Sequence, residues 1–346
     1  MQNPFSLSFG KEPLSLIDRD YQNREILDSF TAENPAYQVC MITGVRGAGK
    51  TVALTTIAND LRSRREWIVV DLNPEMDLLH QLAAELSNRR ELFELFRDAK
   101  INLSFLGFGI EIDGEPPITD IVVALRRMLE RICHSGKRVL ITVDEASATP
   151  RFRAFASQFQ IFIRENLNVF LLMTGLYENI AQLQNSKNLT FLYRAPKVDL
   201  KPLNALRCAQ KYQEVFALPQ EEAMSMAKET KGYPFAFQVL GYLCWVRKQP
   251  WQEVLLDFDA FLEEYVYEKI WSELSPKDQE VLFSMAVAED GKVENIRRVK
   301  DLESNLFNIY RKRLLRSGLI TAPAYGYVEL ALPRFREFIL RNTWLE

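Results

Sequence analysis

Gly44-Val45-Arg46-Gly47-Ala48-Gly49-Lys50-Thr51 satisfies the pattern GxxxxGK[ST] in full. An apolar run, Gln38–Thr43 (QVCMIT), precedes it. Leu54, Ile57, Ala58 and Leu61 follow at the spacing of one helix face. Strand, glycine loop and helix in that order are the setting in which this motif cradles phosphates. Glycines let the backbone wrap closely with its N–H groups turned inward, and the helix N-terminus adds its dipole. Lys50 brings charge to the β- and γ-phosphates, and Thr51 brings a hydroxyl suited to Mg²⁺. The predicted nucleotide contacts run from Gly44 to Val52.

Further strands are expected at Trp67–Asp71, Arg138–Val143, Val169–Thr174 and Ala195–Leu200. They are apolar on both faces and separated by helical patterns, which predicts a parallel sheet covered on two sides. Residues 101–117 alternate apolar and polar between two turn signals, and they predict a β-hairpin inserted in this core. After Pro202 the pattern is wholly helical, with helices expected over 204–217, 220–230, 234–248 and 251–271. Ser275-Pro276 opens a new unit. Helices over 279–288 and 304–316, followed by a hairpin of 319–320 and 327–332, read as a winged helix. The predicted fold class is α/β, a three-layer P-loop parallel sheet. The predicted domains are a P-loop core over 1–200, a helical lid over 201–272 and a winged helix over 273–346.

Val139-Leu140-Ile141-Thr142-Val143-Asp144-Glu145 supplies the second chemical signal. A carboxylate at the end of a buried strand is costly without a partner. Opposite a phosphate loop, Asp144 would hold Mg²⁺ through water, and Glu145 would polarise an attacking water. Thr174, ending the fourth expected strand, could orient water near the γ-phosphate. Arg194 could contact that phosphate in cis or in trans.

The chain has 346 residues, 47% of them hydrophobic, enough for a large core without disulfides. Cys40, Cys133, Cys208 and Cys244 are scattered, and with only two histidines no zinc cluster is spelled. Reduced thiols in a cytoplasmic protein are the expectation. The N-terminal MQNPFSLSFGK lacks the basic-then-apolar signature of a signal peptide, and Phe235–Val246 is too short to span a membrane. The net charge of −3 gives no global field for nucleic acid. Locally, residues 292–316 hold eight basic and three acidic side chains, so DNA phosphates are one possible partner of this stretch. Packing within the chain, a protein partner or self-association is the other.

Together these motifs resemble the AAA+ and STAND classes of P-loop ATPases. The resemblance is closer to bacterial AAA-family ATPases that begin with an Asn-Pro-Phe…Phe-Gly…Pro segment, here Asn3-Pro4-Phe5, Phe9-Gly10 and Pro13, followed by Asp18-Arg19-Asp20. That family usually has Gly-Arg-Glu at the last position, so Asp18 is a departure. The resemblance implies that Arg19 lies near the adenine. Gly232-Tyr233-Pro234 resembles the GxP motif whose proline packs on the base, which makes Pro234 a base contact. A lid arginine of the usual AAA+ kind is absent beside it; Phe235, Ala236, Phe237 and Gln238 follow instead. The resemblance therefore implies an ATP- and Mg²⁺-dependent hydrolase working as a STAND-like switch, with a DNA-bound initiator or loader as the alternative. A P-loop kinase is the third class; Glu145 argues against it.

Overall fold

A computed structural model of the chain describes residues 2–8, 13–17, 19–107, 112 and 115–343. The chain forms two compact units, one of residues 20–43 and 50–199, the other of 1–19, 44–49 and 200–346.

The first is the sheet unit. Helix α1 (Asp20–Thr31) leads into β1 (Val39–Thr43), and α2 (Lys50–Arg62) into β2 (Trp67–Leu72). Next come α3 (Leu78–Ser87), α4 (Arg90–Asp98), α5 (Ile121–His134) and β3 (Arg138–Val143). Then α6 (Pro150–Arg164), β4 (Val169–Gly175), α7 (Tyr177–Gln184), α8 (Thr190–Arg194) and β5 (Lys197–Asp199) complete it. The five strands are parallel in the order β2-β3-β4-β1-β5. Every residue of β1 and β4 is buried, as a sheet covered on both faces requires. Three of this unit's helices start where side chains satisfy their first N–H groups. Asp77 caps α3, Asp120 caps α5, and Thr149 caps α6 with Pro150 at its first position.

The inserted hairpin expected over 101–117 is not formed by the described residues there. They hold one 3-10 turn, Ser104–Leu106, and no strand. Buried Asn102 closes the loop instead. Its side-chain amide donates to the carbonyls of Ile112 (3.3 Å) and Glu115 (2.8 Å), and its own carbonyl accepts from Ile118 N–H. The apolar alternation reflects Ile101 and Leu103 turning into the core, not cross-strand pairing. Residues 108–111, 113 and 114 lie outside the described residues.

The second unit is helical. It contains α9 (Ala205–Phe216), α10 (Gln220–Glu229), α11 (Pro234–Arg247), α12 (Leu255–Leu262) and α13 (Glu268–Glu273), with a π-helical turn over Glu263–Tyr267 between the last two. Then follow α14 (Pro276–Ala288), α15 (Val293–Val299), α16 (Ser304–Ser317), the antiparallel pair β6 (Ile320–Thr321) and β7 (Glu329–Leu330), and α17 (Phe335–Thr343). The N-terminal segment belongs to this core. Phe5 is buried beside the rings of Tyr212, Phe216 and Phe237. Ser6 N–H and the Ser15 hydroxyl both donate to Gln238 Oε1, at 3.0 and 3.2 Å. Cys40, Cys208 and Cys244 are buried, and burial pushes each thiol up to about 12, so none is a poised nucleophile.

The charged anchor of this unit is Asp259 on α12. It is 5% exposed and faces Arg334, whose Nη2 donates to Oδ2 at 2.8 Å while Nε donates to Oδ1. Arg341 Nη1 lies 3.6 Å from the same carboxylate. Removing one member of a buried pair strands the other charge, at a cost of about 3 kcal/mol or more. Arg334→Leu should therefore lower the denaturation midpoint clearly, and urea unfolding of the full chain is the check. An unchanged midpoint would mean Arg341 alone compensates Asp259.

Candidate functional site

The carboxyl ends of parallel strands are where this architecture places ligands. β4 pairs with β1 so that Thr174 lies level with Ile42, and with β3 so that Met173 lies level with Val143. Thr174 and Asp144 therefore reach the same edge of the sheet, beside the first turn of α2. The Thr51 hydroxyl donates to Asp144 Oδ2 at 2.7 Å. The Thr174 hydroxyl donates to Asp144 Oδ1, and the Glu145 N–H lies 3.2 Å from both Asp144 Oδ1 and Thr174 Oγ1. Both carboxylate oxygens are thus held by protein donors.

Glu145 itself is exposed and has φ +54°. A non-glycine residue held in the left-handed region costs about 1 kcal/mol, and such residues gather at functional sites. Its neighbour Ala146 ties the turn to β4, its N–H donating to Thr174 O at 2.8 Å.

A cavity of about 210 Å³ opens beside Thr51 and Asp144, lined by Leu54, Thr55, Ala58, Arg62, Asp71, Leu72 and Thr142 as well. At its wall Asp71 accepts from the Thr142 hydroxyl (2.6 Å) and from Arg62 Nη2 (2.7 Å). Thr142 lies two residues before Asp144 on the same face of β3, so this trio braces the strand end. Sequence reading missed it, because Asp71 looks like an ordinary strand-end acid.

The glycine loop has its own geometry within the helical unit. Ala48 N–H donates to Val45 O at 3.2 Å, and Gly47 has φ +76° while Arg46 does not enter the left-handed region. These are the marks of a type II turn over Val45–Ala48. The Tyr233 hydroxyl donates to Arg46 O. A Cβ on Gly47 would meet Tyr233 Cζ at 2.8 Å and Phe235 Cβ at 3.2 Å, so glycine is required twice over. Pro234 starts α11, and its ring lies 3.7 Å from where a Gly49 Cβ would be. Gly232, at φ +67°, lies against Leu203, whose N–H donates to Gly232 O at 2.7 Å. The Arg46 guanidinium pairs with Glu273 at the end of α13, at 3.0 Å.

Arg19 also lies on the loop. Its Nη2 donates to Ala48 O at 3.0 Å and its Nη1 to Lys201 O, and burial pulls its guanidinium down to about 10. Asp18 lies outside the described residues. Lys50, Thr51 and Val52 form the start of α2, all half-buried. Arg194 is exposed at the end of α8, and no hydrogen bond of the structure joins it to Asp144, Glu145 or Thr174.

Oxygen donors from the Thr51 hydroxyl and the Asp144 carboxylate at one point suit a hard divalent cation, and a turn of successive backbone N–H groups over 45–48 suits an anion such as phosphate. The residues present fit Mg²⁺ and a nucleotide. Among the described residues no group of three or more metal-ligating side chains forms a separate metal site. No described helix is long and apolar enough to cross a membrane.

Residues 36–184 match the AAA domain family, and residues 264–339 match a domain of unknown function, DUF8462. No curated protein sequence matches the chain. Among solved structures, it is similar to the Walker-type ATPase of Pyrococcus abyssi, at 17% identity and TM-score 0.63, covering 94% of this chain and 96% of that one. It is also similar to the ORC2 protein of Aeropyrum pernix solved in ADPNP–ADP complexes, at 13% identity and TM-score 0.58, covering 98% of each. The chain therefore has the P-loop α/β fold of these structures, and its match to the AAA domain family spans residues 36–184.

Proposed function

We propose that the chain binds ATP on the 44–52 loop, hydrolyses it, and uses the nucleotide state to set the position of its C-terminal helices. The observation that carries this reading is the Asp144 carboxylate held by the Thr51 and Thr174 hydroxyls, with Glu145 next in sequence. Thr51 and Asp144 would hold Mg²⁺, which when bound neutralises charge on the β- and γ-phosphates. Lys50 pairs with those phosphates. Glu145 accepts a proton from the attacking water as the water oxygen bonds to the γ-phosphorus. The bridging P–O bond breaks, leaving ADP and phosphate. Thr174, donating to Asp144, fixes the carboxylate and orients the water from the same place. Arg19 and Pro234 contact the base side. Exposed Arg194 serves a phosphate in trans, which would require self-association.

The switch part of the reading is supported by Arg46 and Tyr233. Through the Arg46–Glu273 pair and the Tyr233 hydroxyl, the glycine turn is bonded to α13 and to the start of α11. A ligand that binds one arrangement of these contacts better than another shifts the equilibrium between them. The STAND-like class, the helical lid and the cytoplasmic location belong to this proposal.

A second reading, DNA binding by a winged helix of α14–α16 and the β6–β7 hairpin, is favoured by one face of α16. Asn305, Asn308, Ile309, Lys312 and Arg316 recur at helical spacing and are all exposed, and Tyr325 near the hairpin tip is fully exposed. The basic stretch is thinner than its sequence count. Arg313 is bonded to buried Asp278 and to Ser275, Arg298 pairs with Glu294, and Arg297 donates to Leu302 O.

One experiment addresses both. Phosphate release from ATP by the purified full chain, without an added acceptor, should be measurable and should require Mg²⁺. Absence of both release and ATP binding would sink the hydrolase reading. Fluorescence anisotropy of a labelled duplex, titrated with salt in the same buffer, decides the DNA reading. Binding that weakens steeply with salt supports it, and no binding at low salt rejects it.

A further inference from the structure

The GxP element was expected to serve the base through Pro234, yet its middle residue reaches the glycine turn. Tyr233 is 4% exposed, and its hydroxyl donates to the carbonyl of Arg46, the central peptide of the type II turn. That peptide joins Arg46 to Gly47. A trans peptide holds its C=O and N–H on opposite sides. Fixing the Arg46 carbonyl toward α11 therefore fixes the Gly47 N–H pointing away from α11. A hydrogen bond to the C=O also polarises the same peptide, which strengthens its N–H as a donor.

We propose that Tyr233 is a positioning residue for phosphate binding: its phenol locks the Arg46–Gly47 peptide so that the Gly47 N–H serves the β-phosphate end of the nucleotide. The inference rests on the reading that the 44–52 loop binds nucleotide.

Three further observations fit. The alternative for this turn, type I, is reached by flipping the same central peptide. Gly47 places no side chain in the way of such a flip, so something other than Gly47 must hold the peptide in one state. Tyr233 is placed to do so, since its ring occupies the space a Gly47 side chain would need. The phenol is also a constant donor. Burial pushes it far above the ordinary tyrosine range, so it keeps its proton at every working pH. Arg46 is fixed from its other end by Glu273, which leaves the turn little freedom to drift.

The test is Tyr233→Phe in the full chain, which keeps the ring and removes only the hydroxyl. ADP and AMP affinities are measured by calorimetry and competition on wild type and variant. Wild-type protein that binds no ADP would overturn the nucleotide reading itself. With wild-type binding present, the ratio of ADP to AMP affinity should fall about ten-fold in the variant, the weakening of one Gly47 N–H bond to a charged phosphate oxygen once its peptide is no longer held. An unchanged ADP affinity, or an equal loss for ADP and AMP, would overturn the positioning role. Should the variant fail to fold, hydrogen exchange on the wild type decides. Peptides covering 44–51 and Tyr233 should gain protection together on adding ADP, and protection of the glycine loop alone would overturn the proposal.

Discussion

Lys50→Ala should abolish nucleotide binding, with ADP affinity falling about 100-fold or more, while the chain stays folded. A lysine ammonium against a polyphosphate makes charge-assisted hydrogen bonds that no neighbouring side chain can replace, and two such contacts are worth about 3 kcal/mol. Folding survives because α2 is anchored elsewhere. Ala53, Leu54, Ile57, Ala58 and Leu61 are its buried residues, and Lys50 is only half-buried at the first position. The first helical position also has no intrahelical acceptor for its N–H, so alanine there costs no ladder bond. Calorimetry with ADP and Mg²⁺, beside a thermal melt of the unliganded variant, checks both halves. Unchanged ADP affinity would remove the glycine loop from the site. A collapsed melt would mean that Lys50 serves the fold.

What could be read from the sequence divides along a physical line. Four of the five strands were legible because strands buried on both faces are short apolar runs; the fifth, the half-buried edge strand Lys197–Asp199, lies inside the expected 195–200. The helices of 205–247 were legible from the wholly helical pattern after Pro202. Pattern failed where burial did not follow a period. Asn102 closes a loop by side-chain hydrogen bonds, which mimics the turns of a hairpin in sequence. Helix α4 is nine residues long and α15 seven with only Ile296 buried, too short for a period to repeat along them. At the site, the glycine loop and Asp144-Glu145 carry signatures because their chemistry demands particular residues at fixed spacing. The bond from Thr51 to Asp144 spans 93 positions and the one from Tyr233 to Arg46 spans 187, so no local pattern could announce them. Tyr233 did sit inside a motif, but the resemblance pointed to Pro234 beside it as the base contact. The structure uses its hydroxyl.

Glu145→Gln should leave nucleotide bound and stop turnover, lowering kcat by about 10²–10³-fold, the contribution expected of a positioned base. The substitution is isosteric, and the backbone that positions it does not depend on the side chain. Glu145 N–H is held by Asp144 Oδ1 and Thr174 Oγ1, both at 3.2 Å, and the left-handed φ of +54° is imposed by that turn. Glutamine accepts the same backbone at the same cost, so stability should change little. The amide cannot take the proton of the attacking water, whereas binding, as proposed, draws on Lys50, Thr51 and the loop N–H groups, which are untouched. Asp144→Asn makes the contrast. It disturbs the carboxylate that accepts from Thr51 and Thr174, so it should weaken the Mg²⁺ dependence of ATP binding as well as turnover. Single-turnover phosphate release and ATP affinity, measured on both variants, separate the two roles. If Glu145→Gln releases phosphate at the wild-type rate, the base is another group. If it loses ATP affinity to the same extent as Asp144→Asn, Glu145 belongs to binding instead of the chemical step.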